Sequence, residues 1–439
     1  MRLDELKNRA EAFLGQARQL GADEAEVVAR RQVVDRIVFE KNDFQLASSN
    51  TTLTFGLDVH KDQRRGTAVT NESGDEALTD SAGAALTLAK FSLPDEYLCF
   101  PEPDKIQELP GRHDELLENL SPEKLRGFAA DFLSAGRHEK ISIDGAELSV
   151  MRSQEAIVNS RGLSVSDEGT RLSWLLSGMG KTDSEVTSFD WHGGSSWSWE
   201  GAQERSLADA GRFQEKLLRC FGPRKGESYK GLVLLSPGVL DELMLYPMKF
   251  HISGRQIMDG KSRWESELGK RVASECFTLM DDPFDLDLAS ATPHDVEGVP
   301  TRLCPIIEEG ILKTHVDGTY TAKRRGTKST GHAGGLHGVS IAPGDASVDE
   351  LIARGDKLVV VERFSGNLDP VTGDFSGVAK GSHWYEKGEY KYPLIETMIA
   401  GNFFEMFQNI VALSDTANHY MNEWKAPWIL VDGISVTAG

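Results

Sequence analysis

Apolar residues at three- and four-residue intervals predict helices in the first half of the chain. The first begins near Leu3, places its apolar residues on one face and ends at Gly21. A second helix is predicted over residues 75–90. A third begins at Ser121-Pro122, where serine can accept hydrogen bonds from free amides and proline tolerates the first turn.

Alternating apolar and polar residues predict strands between these helices. Residues 26–40 are rich in valine and are predicted to be extended. Residues 53–59 alternate, and we predict that they form an antiparallel hairpin with residues 66–70 across the polar loop at residues 60–65. Strands return over residues 141–176, with a turn expected at Asp144-Gly145. Residues 183–200 have the composition of a loop, and residues 204–221 return to a helical pattern.

A polar segment rich in glycine and proline, residues 222–226, divides the chain nearly in half. We therefore predict two domains, residues 1–222 and 227–439. The second begins with an apolar strand at residues 232–235. Ser236-Pro237 would then cap a helix that continues to about Phe250.

The rest of the second half is dominated by glycine and by short apolar runs typical of strands. Residues 358–361 and 428–431 are such runs, and a helix is predicted over residues 403–412. This order of elements indicates an α+β fold, with helices and antiparallel sheet in the N-terminal domain and a sheet-rich C-terminal domain.

Charge and composition restrict the function classes. The 439 residues include 48 basic and 68 acidic side chains, a net charge of −20, which opposes binding to nucleic acid. The longest apolar runs are too short to cross a bilayer, and the charged N-terminus does not resemble a secretion signal. We therefore expect a cytoplasmic protein that binds neither nucleic acid nor membrane.

The four cysteines have spacings typical of neither disulfide frameworks nor zinc ribbons. They are Cys99, Cys220, Cys276 and Cys304. We expect free thiols.

An ordered series of segments in the second half resembles the PmbA branch of the TldD/PmbA family, once described as modulators of DNA gyrase. The segments are DDP from Asp281, EGVPT from Glu297, IEEGIL from Ile307, KSTGHAGG from Lys328, TGDFS from Thr372 and ETMIAGN from Glu396. The resemblance extends over most of residues 232–412 and more diffusely over the first half.

The resemblance implies where a zinc site would lie. In the TldD branch, a helix bears an HExxxH motif whose histidines bind zinc and whose glutamate is the general base. Counted from the shared segment at residues 236–239, the three motif positions hold Leu245, Tyr246 and Phe250 here. The cysteine ligand near the C-terminus of that branch also has no counterpart after Cys304. We therefore expect this chain to bind no zinc, and we expect His251, one position further on, to be structural.

The resemblance also implies a function. TldD-type and PmbA-type (TldE-type) chains form a heterodimeric metalloprotease, a hydrolase that cleaves unfolded or small peptides. This chain would be the catalytically silent subunit, with no catalytic residue of its own. It would help to bind the peptide and stabilise a partner that carries the zinc. Two alternatives remain: a homodimeric peptide-binding protein without catalysis, and an independent hydrolase with ligands outside the family positions.

Further candidates come from the residue types themselves. One turn and one aspartate are candidates for lining a peptide cleft: Ser329, Thr330, Gly331, His332 and Asp374. The hydroxyls of this turn would be free to bond a peptide backbone, and Asp374 would orient a neighbouring loop. Four histidines could instead form a metal site together with Asp374: His315, His332, His337 and His383. The other interpretation places these histidines in loops and core.

Overall fold

The computed structural model describes residues 1–41 and 43–439. The helices of the first half are α1 (Leu3–Gln19), α2 (Asp75–Phe91), α3 (Glu115–Glu118), α4 (Pro122–Gly136) and α5 (Ala202–Leu218). The strands are β1 (Glu24–Glu40), β2 (Asp43–Lys61), β3 (Arg64–Thr70), β4 (Ile141–Asn159), β5 (Ser164–Gly180) and β6 (Asp190–Ser196). The helices predicted at Leu3, residues 75–90, Ser121 and residues 204–221 are present.

These strands form one antiparallel sheet in the order β3-β2-β1-β4-β5-β6. Its two ends are covered by different helices. The buried faces of α1 and α2 pack against β1 and β2 through small and apolar residues such as Phe13 and Ala85. The buried faces of α4 and α5 pack against β4 and β5 around Phe132 and Phe213. The predicted hairpin closes at Asp62-Gln63, both with positive φ, as a tight two-residue turn requires.

Two predictions in this half were wrong. The turn expected at Asp144-Gly145 is a bulge inside the continuous strand β4. Strand β4 pairs with β1 on one edge and with β5 on the other. The ladder hydrogen bonds from these two neighbours outweigh the turn preference of the Asp144-Gly145 dipeptide. The loop expected over residues 183–200 contains the strand β6.

The second half begins with β7 (Tyr229–Leu235), a 3₁₀ turn (Pro237–Val239), a π-helical segment (Asp241–Leu245), α6 (Tyr246–Ile252) and α7 (Gly254–Met258). It continues with β8 (Leu279–Asp281), β9 (Cys304–Glu308), β10 (Ile311–Leu312), α8 (Thr319–Arg325), β11 (Val339–Ile341) and α9 (Val348–Ala353). It ends with β12 (Lys357–Val361), β13 (Arg363–Leu368), β14 (Asp374–Lys380), β15 (His383–Glu386), β16 (Glu389–Pro393), β17 (Thr397–Asn402), α10 (Phe403–Gln408), β18 (Ile410–Leu413), β19 (Asn418–Tyr420), β20 (Trp424–Ala426) and β21 (Ile429–Ala438).

Two sheets build this half. The larger has the path β13-β14-β17-β21-β7-β12-β15-β16, with β18 beside β21, and the smaller has the order β10-β9-β8-β11-β20-β19. A single large core joins the two, including Phe277, Trp384 and Phe407. The predicted α+β fold with much antiparallel sheet is confirmed. The helix predicted over residues 403–412 is too long, because Ile410–Leu413 pairs with β21 as a strand.

The predicted division at residues 222–226 stays a prediction. Within that segment, the Arg224 N–H donates to the Pro393 carbonyl at 2.9 Å. No helix in the described part of the chain is long and apolar enough to span a bilayer.

Candidate functional site

The segment that follows β7 is not the single helix that the sequence predicts. It consists of a 3₁₀ turn, the π-helical segment and α6 in succession, and the Tyr246 N–H bonds to the Asp241 carbonyl five residues back. Pro247 explains part of this break, since it has no N–H to donate to the preceding turn. Ser236 does not cap the segment either, because its hydroxyl donates to the Glu362 carbonyl at 3.0 Å.

The three positions predicted for the zinc motif lie on this segment, but their side chains have very different exposures. Leu245 is 1% exposed in the core, Tyr246 is 50% exposed and Phe250 is half-buried. Leucine and phenylalanine carry no ligand atom, and tyrosine is neither one of the usual zinc ligands nor an effective base near pH 7. The residues present therefore do not fit a zinc ion at the family positions.

His251, next along α6, is a fully buried core residue. Its Nδ1 accepts the Arg263 N–H at 3.2 Å, and its ring packs among Trp264, Phe403 and Phe404. Burial lowers the pKa of His251 to about 4, so the ring stays neutral near pH 7.

A cleft of about 490 Å³ opens beside α6 and α7. Its charged lining residues are Lys249, Arg255 and Glu297. One wall is the backbone of residues 332–336, and Gly334 and Gly335 have φ of 94° and 124°. The lining also includes four large apolar side chains: Ile252, Val296, Val316 and Leu336. The cleft thus combines both charges with apolar surface, which suits a peptide with mixed side chains.

Of the predicted cleft residues, His332 lines this cleft. The hydroxyls of Ser329 and Thr330 both donate to the backbone carbonyl of Asp317, at 3.3 and 3.1 Å. The expectation that these hydroxyls are free for a peptide was wrong, because the tight turn brings Asp317 within reach first. Gly331 has φ of 75°, and a Cβ there would overlap the Pro300 carbonyl.

Asp374 lies elsewhere, exposed on β14, where it accepts a hydrogen bond from the Asn402 side chain at 2.8 Å. The alternative metal site does not form, because among the described residues no three of the four histidines and Asp374 come within ligand distance of one another. His315 bonds the Trp264 carbonyl at 2.9 Å, and His383 lines a different cavity beside β6. In the described residues, the His/Cys/Asp/Glu trio with ligand atoms within 4.8 Å of one another is Asp285, Asp287 and His419.

The wall that contains His332 is held by Asp281, a fully buried carboxylate at the end of β8. It accepts the backbone N–H of His337 at 2.8 Å and of Gly338 at 2.6 Å, and it lies 3.0 Å from His332 Nε2. Asp281 begins the DDP segment, which is one of the segments that resemble the family, but the sequence prediction gave Asp281 no role. Only the fold brings residues 281 and 332–338 together.

A second group that the sequence prediction missed lies behind the cleft. Asp295 accepts the Ala333 N–H at 3.0 Å and so fixes the same wall. Burial raises the pKa of Asp295 to about 6, and the nearby Glu297 carboxylate adds to the effect. Burial also raises the pKa of Glu26, on β1, to about 8. A hydrogen bond from the Asn159 side chain lowers this pKa, and the nearby carboxylates raise it further: Glu297, Asp58 and Asp295.

The raised pKa of Glu26 predicts a stability that falls with pH. A free glutamate titrates near 4.5, so the folded chain binds more protons than the unfolded chain between about pH 4.5 and 8. Stability contributed by this group is lost across that window, at no more than about 1.4 kcal/mol per pH unit. Glu26→Gln should therefore lose less stability than the parent chain between pH 5 and pH 8.

Denaturation midpoints at the two pH values measure this difference. Glu76→Gln, an exposed position on α2, is the matched control and should follow the parent chain. Equal pH dependence of Glu26→Gln and the parent chain would contradict a protonated Glu26.

Comparison with known proteins places these features in a family context. Models of the PmbA/TldA metallopeptidase match in three parts: domain 1 at residues 25–89, the central domain at 115–218 and the C-terminal domain at 228–438. The chain is 28% identical to a metalloprotease PmbA homolog of Haemophilus influenzae over 419 residues, covering 90% of this chain and 86% of that one. It is also 28% identical to metalloprotease PmbA of Escherichia coli O157:H7, covering 90% and 88%.

The fold is shared with a solved structure as well. The crystal structure of TldE from Thermococcus kodakarensis superimposes with a TM-score of 0.88 at 26% identity, covering 98% of this chain and all of that one. The likeness includes both halves of the chain.

Proposed function

The chain belongs to the PmbA/TldD metallopeptidase family, and from that premise we propose that it is the non-metallated subunit of a heterodimeric, cytoplasmic metalloprotease. The observation that carries the proposal is the replacement of the zinc motif by Leu245, Tyr246 and Phe250. Leucine and phenylalanine offer no ligand atom, and tyrosine is a poor general base near pH 7. A TldD-type partner would supply the zinc and the catalytic base.

The role left to this chain is peptide binding and support of the partner. The cleft beside α6 and α7 supports this role, because its lining offers cations at Lys249 and Arg255 and a carboxylate at Glu297. An extended peptide could satisfy its backbone groups there and place side chains on the apolar lining. The hydrogen bonds that Asp281 accepts from His337 and Gly338, and that Asp295 accepts from Ala333, would keep this wall in one conformation before the peptide arrives, which lowers the entropic cost of binding.

The test is reconstitution with the TldD-type homologue of the same organism. We expect this chain alone to hold no stoichiometric zinc and to cleave no unfolded peptide. We expect the mixture to cleave, with a native mass equal to one copy of each chain, and the partner alone to be much slower. Zinc content by elemental mass spectrometry, native mass and cleavage of a fluorogenic peptide measure these outcomes.

Three results would overturn the proposal. Full activity of the partner alone would remove the need for this subunit. Cleavage by this chain alone, with bound transition metal, would instead identify an independent hydrolase. A stable homodimer that binds peptide, cleaves nothing and ignores the partner would favour a binding protein.

A further inference from the structure

Strand β5 has an open edge over its first residues. Along its whole length β5 pairs with β4, but β6 covers the other edge only from Leu172 onward. Among the described strands, residues 164–171 thus have a neighbour on one side only. Ser164, Ser166 and Glu168 are exposed at this edge.

The register shows which backbone groups face outward. The Asn159 N–H donates to the Leu163 carbonyl at 3.0 Å, so odd-numbered residues of this stretch face β4. The Thr170 N–H donates to the Arg112 carbonyl at 2.9 Å on the opposite side, so even-numbered residues face outward. The backbone N–H and carbonyl groups of Ser164, Ser166 and Glu168 therefore form a row of donors and acceptors roughly 14 Å long.

This edge forms one wall of a cleft of about 620 Å³. Most of the remaining lining comes from the segment of residues 103–110, and Pro293 and His294 complete it. The cleft is separate from the one beside α6 and α7, which shares no lining residue with it. Two members of the row, Ser164 and Ser166, lie in its lining.

The charge of the cleft is one-sided. Its acidic lining residues are Asp104, Glu108 and Asp167, and within the described part of the chain only Asp167 has a cationic partner, Arg112. Glu168 adds another carboxylate at the exposed edge. An occupant with basic side chains would compensate this charge.

His294 adds an unsatisfied acceptor to the lining. It is 4% exposed, and its Nδ1 lies 2.9 Å from the Asp295 carbonyl, which only accepts, so Nδ1 carries the hydrogen. Nε2 is then an acceptor, and it is buried with no hydrogen-bond partner within the described chain. Such a group is costly unless a donor reaches it.

We propose that the open edge of β5 binds an extended, basic peptide segment by strand addition, at a site distinct from the cleft beside α6 and α7. The peptide backbone pairs with Ser164, Ser166 and Glu168, and its lysine or arginine side chains meet Asp104 and Glu108. The site stands apart from the proposed role as a silent subunit, because it needs no partner and no metal.

The test uses the full chain and two fluorescent eight-residue peptides in which valine alternates with lysine or with glutamate. Ser166→Pro removes one outward N–H without touching the bonds to β4, and proline is tolerated on edge strands. Ser166→Ala, which keeps that N–H, is the matched control. We expect the lysine peptide to bind in fluorescence anisotropy, Ser166→Pro to weaken it about tenfold or more, and Ser166→Ala to change it little.

A second variant keeps the test valid if Ser166→Pro is unstable. The double change Asp104→Lys with Glu108→Lys should reverse the preference toward the glutamate peptide, since both positions lie in the lining segment of residues 103–110. Equal binding of both peptides by the parent chain, or binding unchanged in Ser166→Pro, would overturn the proposal. So would a dimer that Ser166→Pro converts to monomer without any peptide binding, since a second copy would then occupy the edge.

Discussion

Replacement of Asp281 by alanine should destabilise the fold by about 4 kcal/mol, the largest loss we expect from a single polar substitution in the C-terminal half. The fully buried carboxylate accepts two backbone N–H groups, from His337 and Gly338, and faces His332 Nε2. Alanine would leave these buried donors without an acceptor, and each unpaired donor costs about 1–3 kcal/mol. Asp281→Asn, which keeps one acceptor oxygen, should lose less.

Thermal and denaturant midpoints measure the loss, with Asp374→Ala as control. Asp374 is an aspartate of the same half, but it is exposed and bonds one side chain, Asn402. We expect that control to change stability by no more than about 0.5 kcal/mol. Hydrogen exchange at His337 and Gly338 gives a local readout, because both amides should exchange much faster in Asp281→Ala. Similar midpoints for Asp281→Ala and Asp374→Ala would refute the role of Asp281 as an anchor of the cleft wall.

Gly66→Ala should cost about 3 kcal/mol through a steric conflict between β3 and α2. A Cβ at Gly66 would overlap the Ala85 carbonyl and lie 2.6 Å from the Ala89 backbone nitrogen. These are backbone atoms of a helix, so no side-chain rotation relieves the overlap and the whole helix must move away. The small residues Ala82, Ala85 and Ala89 are fully buried at this contact, so the movement would open the core of the first half.

Gly83→Ala is the matched control, because Gly83 lies in the middle of the same helix and a Cβ there would meet no described atom within 4 Å outside its own stretch of helix. There alanine should stabilise by about 0.5–1 kcal/mol through helix propensity alone. Opposite shifts of the two midpoints would support the close approach of β3 and α2. A stabilising Gly66→Ala would disprove it.

The backbone of the segment after β7 also differs from the single helix on which a zinc motif lies. The segment that would carry a zinc motif is broken into 3₁₀, π and α portions, with Pro247 at the start of α6. Here Leu245 packs in the core while Tyr246 points toward solvent. Restoring zinc would therefore require new side chains and also enough space in the core around Leu245.

The amino-acid sequence alone determined the elements that depend on local physics. The apolar period of α1, the serine cap before α4 and the alternation in β1 and β2 require no knowledge of distant partners, because each is set by neighbours in sequence. The absence of zinc ligands at Leu245, Tyr246 and Phe250 could also be read directly, since side-chain chemistry does not depend on the fold. The family resemblance could also be identified without the fold, because it rests on motifs in a fixed order along the sequence.

The tertiary structure decided whatever depends on a partner far along the chain. Strand β6 was missed because Gly193 and Gly194 disfavour strands, yet a Cβ at Gly193 would overlap the Trp174 carbonyl of β5, so the close pairing needs glycine. The anchoring role of Asp281 depends on His337, which lies more than fifty positions away in the sequence. The positions of His315, at the Trp264 carbonyl, and of His383, in a different cavity, also depend on contacts with distant residues. Local preference cannot specify such contacts, because they form only when the chain closes its sheets.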